Sequence, residues 1–156
     1  MQRSHIFDSP FMRLAIEQAR EAAAAGEVPI GAVVVDSQSG EVIAASGNRT
    51  IVDCDPTAHA EILAIRKACT IQQSPRIPEC DLYVTLEPCP MCAQAISFAR
   101  FRRLYYAASD PKGGGVEHGP RIFNSSSCHH KPEIYHGIMQ EEASQLLKEF
   151  FKKKRL

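Results

Sequence analysis

The sequence of 156 residues has no net charge and no long apolar run, and both absences narrow the range of functions. Its 18 basic and 18 acidic side chains create no global field for nucleic acid, although a local patch still can. No stretch approaches the roughly 20 apolar residues that cross a bilayer. Charges near the amino end interrupt any signal-peptide core: Arg3, Asp8, Arg13, Glu17 and Arg20. We therefore expect a cytoplasmic protein.

The sequence also lacks linkers, internal repeats and low-complexity tracts. Residues 1–156 are therefore predicted to form a single domain, and a domain of this size can bury about two thirds of its unfolded surface without a covalent staple. Without an export signal, the cysteines fit a reducing compartment, where close pairs indicate metal ligands or redox groups. There are six: Cys54, Cys69, Cys80, Cys89, Cys92 and Cys128.

Strand and helix patterns alternate along the chain, which predicts an α/β fold with a sheet between helices. The predicted helices span residues 10–25, 57–69, 90–100 and 141–153. The predicted strands lie within residues 28–36, 41–45, 82–86 and 104–108, and residues 134–138 fit a fifth strand or a short loop. The last helix is predicted to bury one side, formed by Ala143, Leu146, Leu147, Phe150 and Phe151.

Two cysteines and a histidine at predicted helix starts form a candidate metal site. Cys89 and Cys92 lie three residues apart on an opening turn, so their sulfurs point the same way and can bind one ion. Pro90 fits the first position of that helix, and the positive helix end favours the thiolate that zinc requires. His59 would be a third ligand, which leaves the fourth tetrahedral position for water.

Glu61 is the candidate proton carrier. It lies two residues after His59, about 200° away on an ideal helix, so both side chains reach one site only if that site lies off the helix end. Glu61 could then stand beside the metal without ligating it. Zinc brings the pKa of bound water from about 16 toward 7. Hydrolysis of an amidine-like carbon, with release of ammonia, would use all four groups.

The residues alone leave two other interpretations open. A Cys-x-x-Cys pair also occurs at thioredoxin-like redox sites. A closed structural zinc site would instead need a fourth protein ligand, for which Cys54, Cys128, His129 and His130 are available. Turnover would distinguish a catalytic zinc site from a structural one.

The pattern His59-Ala60-Glu61, followed by Pro88-Cys89-Pro90-Met91-Cys92, resembles the cytidine and deoxycytidylate deaminase superfamily. Four segments are similar, more closely, to bacterial tRNA-specific adenosine deaminases: residues 28–32, 47–49, 55–61 and 82–89. The similarity runs from about Glu27 into the last helix, whereas residues 113–121 and 128–130 depart from it. The resemblance implies a three-layer α/β/α domain with a central mixed five-stranded sheet.

The resemblance also implies a reaction. One zinc ion per subunit would be held by His59, Cys89 and Cys92, with Glu61 shuttling protons. Zinc-activated water would attack C6 of the wobble adenosine of a tRNA anticodon, giving inosine and ammonia. The alternative on the same scaffold is deamination of a free guanine, cytosine or cytidine. A third class, a silent RNA-binding module, is disfavoured by the intact catalytic set.

Substrate contacts and partners follow from the same resemblance. Asn48 would hydrogen-bond the base. The pocket around the base would be formed by Val28, Ile30, Ala60 and Leu86. Asp110 would contact a flanking nucleotide of the tRNA anticodon stem-loop, and Lys112 a phosphate. The family implies a homodimer, and it makes the basic end that begins near Phe151, with Lys152, Lys153, Lys154 and Arg155, a candidate for RNA contact.

Overall fold

The computed structural model describes residues 8–154, and its helices and strands alternate as the sequence pattern predicts. The elements, in chain order, are α1 (Pro10–Ala24), β1 (Gly31–Asp36), β2 (Val42–Gly47), α2 (Ala60–Gln72), β3 (Cys80–Leu86), α3 (Pro90–Ala99), β4 (Arg103–Ala108), a 3-10 turn (Ile122–Asn124), β5 (Glu133–His136) and α4 (Gln140–Lys154). Among these described residues, no helix combines the length and apolarity that crossing a bilayer demands. Of the predicted features, Arg3 and Arg155 lie outside the described residues.

The five strands form one mixed sheet in the order β2-β1-β3-β4-β5. β1 is antiparallel to both β2 and β3, whereas β3, β4 and β5 run parallel. The predicted mixed five-stranded sheet is confirmed. Residues 134–138, which fitted a strand or a loop, contribute to β5, which pairs with β4 along Glu133–His136.

Alternate residues of the buried strands face different helix layers, as the period of two in a strand requires. Ala32 and Val34 pack with α2 and α3 in one core cluster. Val33 and Val35 pack with α1 and with Ala143 of α4 in the other. The sheet therefore lies between two helix layers, which confirms the three-layer architecture.

The first helix lies unusually close to the sheet. The Ser9 hydroxyl caps the helix by accepting hydrogen bonds from the amides of Phe11 and Met12, at 3.2 and 3.3 Å. Where α1 crosses β1, a Cβ atom added at Gly31 would lie 1.9 Å from the carbonyl oxygen of Ala15. Only glycine leaves room for this crossing, which holds α1 against the start of β1.

The buried side of the terminal helix differs from the predicted one at Phe151. Ala143 is buried, and Leu146, Leu147 and Phe150 are partly buried. Phe151 is 44% exposed, so its predicted burial was wrong. Phe151 lies about 80° around the helix from Ala143, so the helix turns this ring away from the core that Ala143 contacts.

Candidate active site

Three side chains from two helix starts converge on one point. His59 is the N-cap residue of α2 and Cys89 is the N-cap residue of α3, both with extended backbone, while Pro90 begins α3. The sulfurs of Cys89 and Cys92 lie 3.6 and 3.5 Å from His59 Nδ1. All three ligand atoms lie within 4.8 Å of one another. The cluster predicted from spacing is therefore assembled in the fold.

The spacing of the cluster fits a tetrahedral zinc ion. Zinc binds sulfur at about 2.3 Å and imidazole nitrogen at about 2.0–2.1 Å, so tetrahedral angles place these ligands roughly 3.6 Å apart. The two observed nitrogen–sulfur distances match that value. Two thiolates and one imidazole also suit zinc better than a hard cation such as magnesium, which prefers oxygen.

One thiolate is already favoured before a metal binds. The hydrogen bond from Cys92, and then that from His59, lowers the pKa of Cys89 to about 4. The same bond, with burial, raises the pKa of Cys92. The pair thus shares one proton between two sulfurs, and a zinc ion that uses both must displace it.

Glu61 lies beside the cluster and is buried, with 4% of its surface exposed. It occupies the first turn of α2, whereas His59 precedes the helix, so the two side chains approach from different directions. Burial raises the pKa of Glu61 to about 7. A carboxyl group with that pKa can both accept and donate a proton at neutral pH.

Three of the four alternative ligands make hydrogen bonds elsewhere, and His129 is not part of the cluster. The Cys54 thiol donates to the carbonyl of Ile51, and the Cys128 sulfur lies 3.3 Å from the Ser97 hydroxyl. The His130 ring meets the carbonyl of Phe101 at 2.7 Å. Within residues 8–154, the cluster holds no fourth histidine, cysteine or carboxylate. The geometry therefore favours an open site over a closed structural one.

The residues predicted to form the base pocket differ in exposure. Asn48 is buried directly after β2, and its amide group donates to the Thr50 hydroxyl at 3.5 Å. Val28, Ile30 and Leu86 are half-buried, as the walls of a small pocket would be. Ala60 is fully buried at the start of α2, so it lies behind the exposed surface of the predicted pocket.

The two residues predicted to contact RNA lie on the loop after β4. The Asp110 carboxylate accepts hydrogen bonds from the amides of Lys112 and Gly113, at 3.2 and 2.9 Å, and so closes a tight turn. Lys112 is exposed at that turn. This turn is therefore held together by its own hydrogen bonds.

Two buried glutamates were missed in the sequence. The Glu27 carboxylate accepts hydrogen bonds from the amides of Ile51 and Val52 and lies beside Asn48's partner Thr50. Glu87 accepts several from residues 110–118. Burial would raise the pKa of Glu87, but these hydrogen bonds, Asp110 first, hold it below its usual range. Each lies beside a strand and close to a proline, a pattern that solvated glutamates share, so no usable signal is present in the sequence.

Comparison with known proteins agrees with this site. The family described as "Cytidine and deoxycytidylate deaminase zinc-binding region" matches residues 6–108. A tRNA-specific adenosine deaminase from Agrobacterium fabrum is 58% identical over 146 residues, covering 94% of this chain and 95% of that protein.

Two solved structures extend the comparison. One, from a study of A-to-I editing by tRNA:A34 deaminases at the wobble position of transfer RNA, superposes with a TM-score of 0.85 at 58% identity. It covers 88% of this chain and 98% of its own. A guanine deaminase from Bacillus subtilis gives a TM-score of 0.61 at 32% identity, with 93% and 91% covered.

The fold and the cluster thus define a zinc-dependent hydrolytic deaminase. The zinc requirement follows from the matching zinc-binding region together with the His-Cys-Cys group. The chain belongs to the cytidine and deoxycytidylate deaminase family and, within it, to the tRNA-specific adenosine deaminases.

Proposed function

We propose that this protein deaminates adenosine to inosine at the wobble position of a tRNA anticodon. The observation that carries the chemistry is the His-Cys-Cys group with the buried Glu61 beside it. The substrate is inferred from relatives that match nearly the whole chain and are named for it. An anticodon base in a loop is easily unstacked, so an enzyme can reach it.

In this proposal His59, Cys89 and Cys92 hold the metal and Glu61 moves the protons. Zinc, when bound, makes hydroxide available at neutral pH by lowering the pKa of water. Glu61 accepts a proton from the attacking water and delivers one to the departing 6-amino group, which leaves as ammonia. The raised pKa of Glu61 suits both halves of this transfer, because the group is neither a strong acid nor permanently protonated near pH 7.

The pocket residues orient the base in this reaction. Asn48 hydrogen-bonds the adenine edge, with its own amide group steadied by Thr50. Val28, Ile30 and Leu86 contact the faces of the base, and the buried Ala60 supports the pocket from behind at the start of α2. Asp110 contacts a flanking nucleotide and Lys112 a phosphate of the stem-loop.

We also propose that two copies of the chain act together. Met91 and Phe98 are two helical turns apart on α3, so they lie on one face of that helix. They are 36% and 68% exposed, and two large apolar side chains exposed on one helix face indicate a surface that a partner covers. A second subunit that covers this face would bury both and extend the RNA-binding surface. This pairing supports the homodimer expected from the family.

The basic residues of the last helix complete the proposed RNA surface. Separately, the free thiols support a cytoplasmic location. Lys148, Lys152, Lys153 and Lys154 lie on α4 and are exposed. All six cysteines are unpaired, as a reducing compartment favours.

A direct assay tests the proposed substrate. Zinc-loaded protein is incubated with an anticodon stem-loop that carries a wobble adenosine and, in parallel, with free adenosine, guanine and cytidine. Ammonia and the deaminated product are measured in each reaction. We expect inosine from the stem-loop and little product from free guanine. The structural similarity to guanine deaminases makes guanine the informative rival, and preferential turnover of guanine would replace the tRNA assignment.

A further inference from the structure

Glu87 is a buried carboxylate that the proposed reaction does not use. It follows β3 and precedes Pro88 and Cys89, and its side chain is 0% exposed. A charge removed from water in this way is tolerated only when hydrogen bonds replace its hydration. The partners of Glu87 therefore indicate what the residue does.

Every hydrogen-bond partner of the Glu87 carboxylate within the described residues belongs to the segment from 110 to 118. Oε1 accepts a hydrogen bond from the Asp110 amide at 3.0 Å and meets the His118 ring at 2.8 Å. Oε2 accepts from the amides of Val116, Glu117 and His118 at 3.2, 3.0 and 3.1 Å. The Glu87 side chain thus hydrogen-bonds both ends of the 110–118 loop.

The same loop packs against the start of the metal-binding helix. The Gly115 amide donates to the carbonyl of Pro88 at 2.8 Å. A Cβ atom at Gly115 would lie 2.6 Å from the Pro90 nitrogen, and one at Gly114 would lie 2.2 Å from Glu87 Oε2. The two glycines leave the room that this close contact needs. Glu87 therefore joins the loop and the Cys89 segment into one unit.

We infer that Glu87 is a positioning residue that fixes the Asp110–Lys112 turn relative to the metal cluster. A bound RNA that contacts this turn is then held with its target base at the cluster. The inference rests on the proposed function for the identity of the substrate. The link is direct, because the Asp110 amide is held by Glu87 while the Asp110 side chain closes the turn at Lys112. Glu87 itself touches no reacting atom.

Two anchor variants disrupt the hydrogen bonds between the Glu87 carboxylate and the 110–118 loop, each in a different way. Glu87→Gln keeps the shape of the side chain, but its amide nitrogen cannot accept a bond, so either Asp110 or the three amides at Oε2 lose their acceptor. Gly114→Ala keeps the carboxylate and displaces it. Glu117→Gln is the matched control. It removes a charge from the same loop, and in the described structure the polar partners of the Glu117 side chain are Tyr106 and His136, not Glu87.

Three measurements are made on each zinc-loaded protein: zinc per chain, amide hydrogen exchange of residues 110–118, and kcat and KM on the stem-loop. For Glu87→Gln and Gly114→Ala we expect unchanged zinc, faster exchange in the loop, and KM raised about tenfold with kcat nearly unchanged. That factor is the scale of one hydrogen bond to a charged group. Glu117→Gln should behave as the unmodified protein. If one anchor variant does not fold, the other decides.

Several results would overturn the inference. They are unchanged loop exchange in both anchor variants, faster exchange with an unchanged KM, a fall in kcat alone, or an equal rise in KM for Glu117→Gln. If the unmodified protein does not convert the stem-loop, the proposed function fails instead. The exchange data then still decide whether Glu87 holds the loop.

Discussion

The metal cluster depends on where each residue stands relative to a helix end. On an ideal helix His59 and Glu61 would point about 200° apart and could not serve one site. The structure resolves this because His59 is the extended cap of α2, while Glu61 lies within its first turn. One short segment can therefore supply both the proposed ligand and the proposed proton carrier.

At the residue scale, the role of Glu61 separates metal binding from turnover. Glu61→Gln keeps the shape of the side chain but cannot carry a proton. We expect a full complement of zinc, measured by metal analysis, and a kcat lower by about 10²- to 10⁴-fold, the usual contribution of general acid–base catalysis. Glu41→Gln, at an exposed glutamate, is the control and should match the unmodified enzyme. Wild-type turnover in Glu61→Gln would refute the proton role.

The shared proton of the cysteine pair predicts how zinc affinity responds to pH. Cys89 has a pKa near 4, whereas the pKa of Cys92 is raised, so at neutral pH the metal-free pair still holds one proton. Zinc must displace this proton, and affinity should therefore rise with pH, by about tenfold per unit for each proton released. Competition with a zinc chelator between pH 6 and 8 measures the slope. A flat profile would show that both thiols are ionised beforehand.

Substitution of a cysteine tests the ligand assignment itself. Cys89→Ala should lose zinc and activity together, because two protein ligands hold the ion far more weakly than three. Cys69→Ala removes a thiol that lies in α2, outside the cluster, and should retain both. Metal content after gel filtration, measured with turnover, distinguishes the two variants. Retained zinc in Cys89→Ala would remove this residue from the ligand set.

At the scale of elements, two helices begin at the predicted residue, and at both a capping residue precedes a proline. Ser9-Pro10 and Cys89-Pro90 each begin a helix at the predicted residue. The start of α2 is later than predicted, because Asp55 accepts bonds from both the amide and the hydroxyl of Thr57 and holds a turn there. The helix begins only at Ala60, so His59 lies outside it, where the proposed function places a metal ligand.

The proposed zinc ligands could be predicted because Cys89 and Cys92 have local spacing and His59 stands at another predicted helix start, whereas Glu27 and Glu87 could not. Glu27 and Glu87 bind backbone amides of loops that are distant along the chain, and any residue type can supply such a donor. No periodicity or paired residue marks this arrangement. In sequence, a glutamate beside a strand has the same appearance whether it is solvated or buried.

The crossing of α1 over β1 makes a strong prediction about stability. Gly31→Ala would force a Cβ atom against the Ala15 carbonyl, so the helix must shift. We expect a loss of about 3 kcal/mol or more in the free energy of unfolding, at the upper end for overpacking. Gly40→Ala is the control, since its Cβ meets nothing within 4 Å and only its φ of +76° is strained. It should cost about 1–2 kcal/mol. Urea unfolding compares the two, and an equal loss would contradict the close packing.

At the scale of the whole molecule, a neutral chain still carries an asymmetric charge. The last helix has Glu141 and Glu142 in its first turn and Lys152, Lys153 and Lys154 in its last, an arrangement that also complements the helix dipole. Stability alone could therefore account for these lysines. An RNA role requires more, namely that their removal changes binding and its dependence on salt.

Substitution of Lys152, Lys153 and Lys154 by glutamine tests that requirement. Each lysine that binds a phosphate releases counterions, so the slope of log affinity against log salt should become shallower by about 0.7–0.9 for each phosphate that the variant no longer neutralises. Affinity for the stem-loop at low salt should fall, while kcat stays unchanged because the metal site lies at other helix ends. The charge-matched control replaces Arg66, Lys67 and Arg76, three exposed cations on or just after α2 in the opposite helix layer. Fluorescence anisotropy from about 50 to 300 mM salt, the range over which phosphate contacts dominate affinity, measures both slopes. Equal slopes in the two triple variants would show that the lysines at the end of α4 stabilise the helix and do not bind RNA.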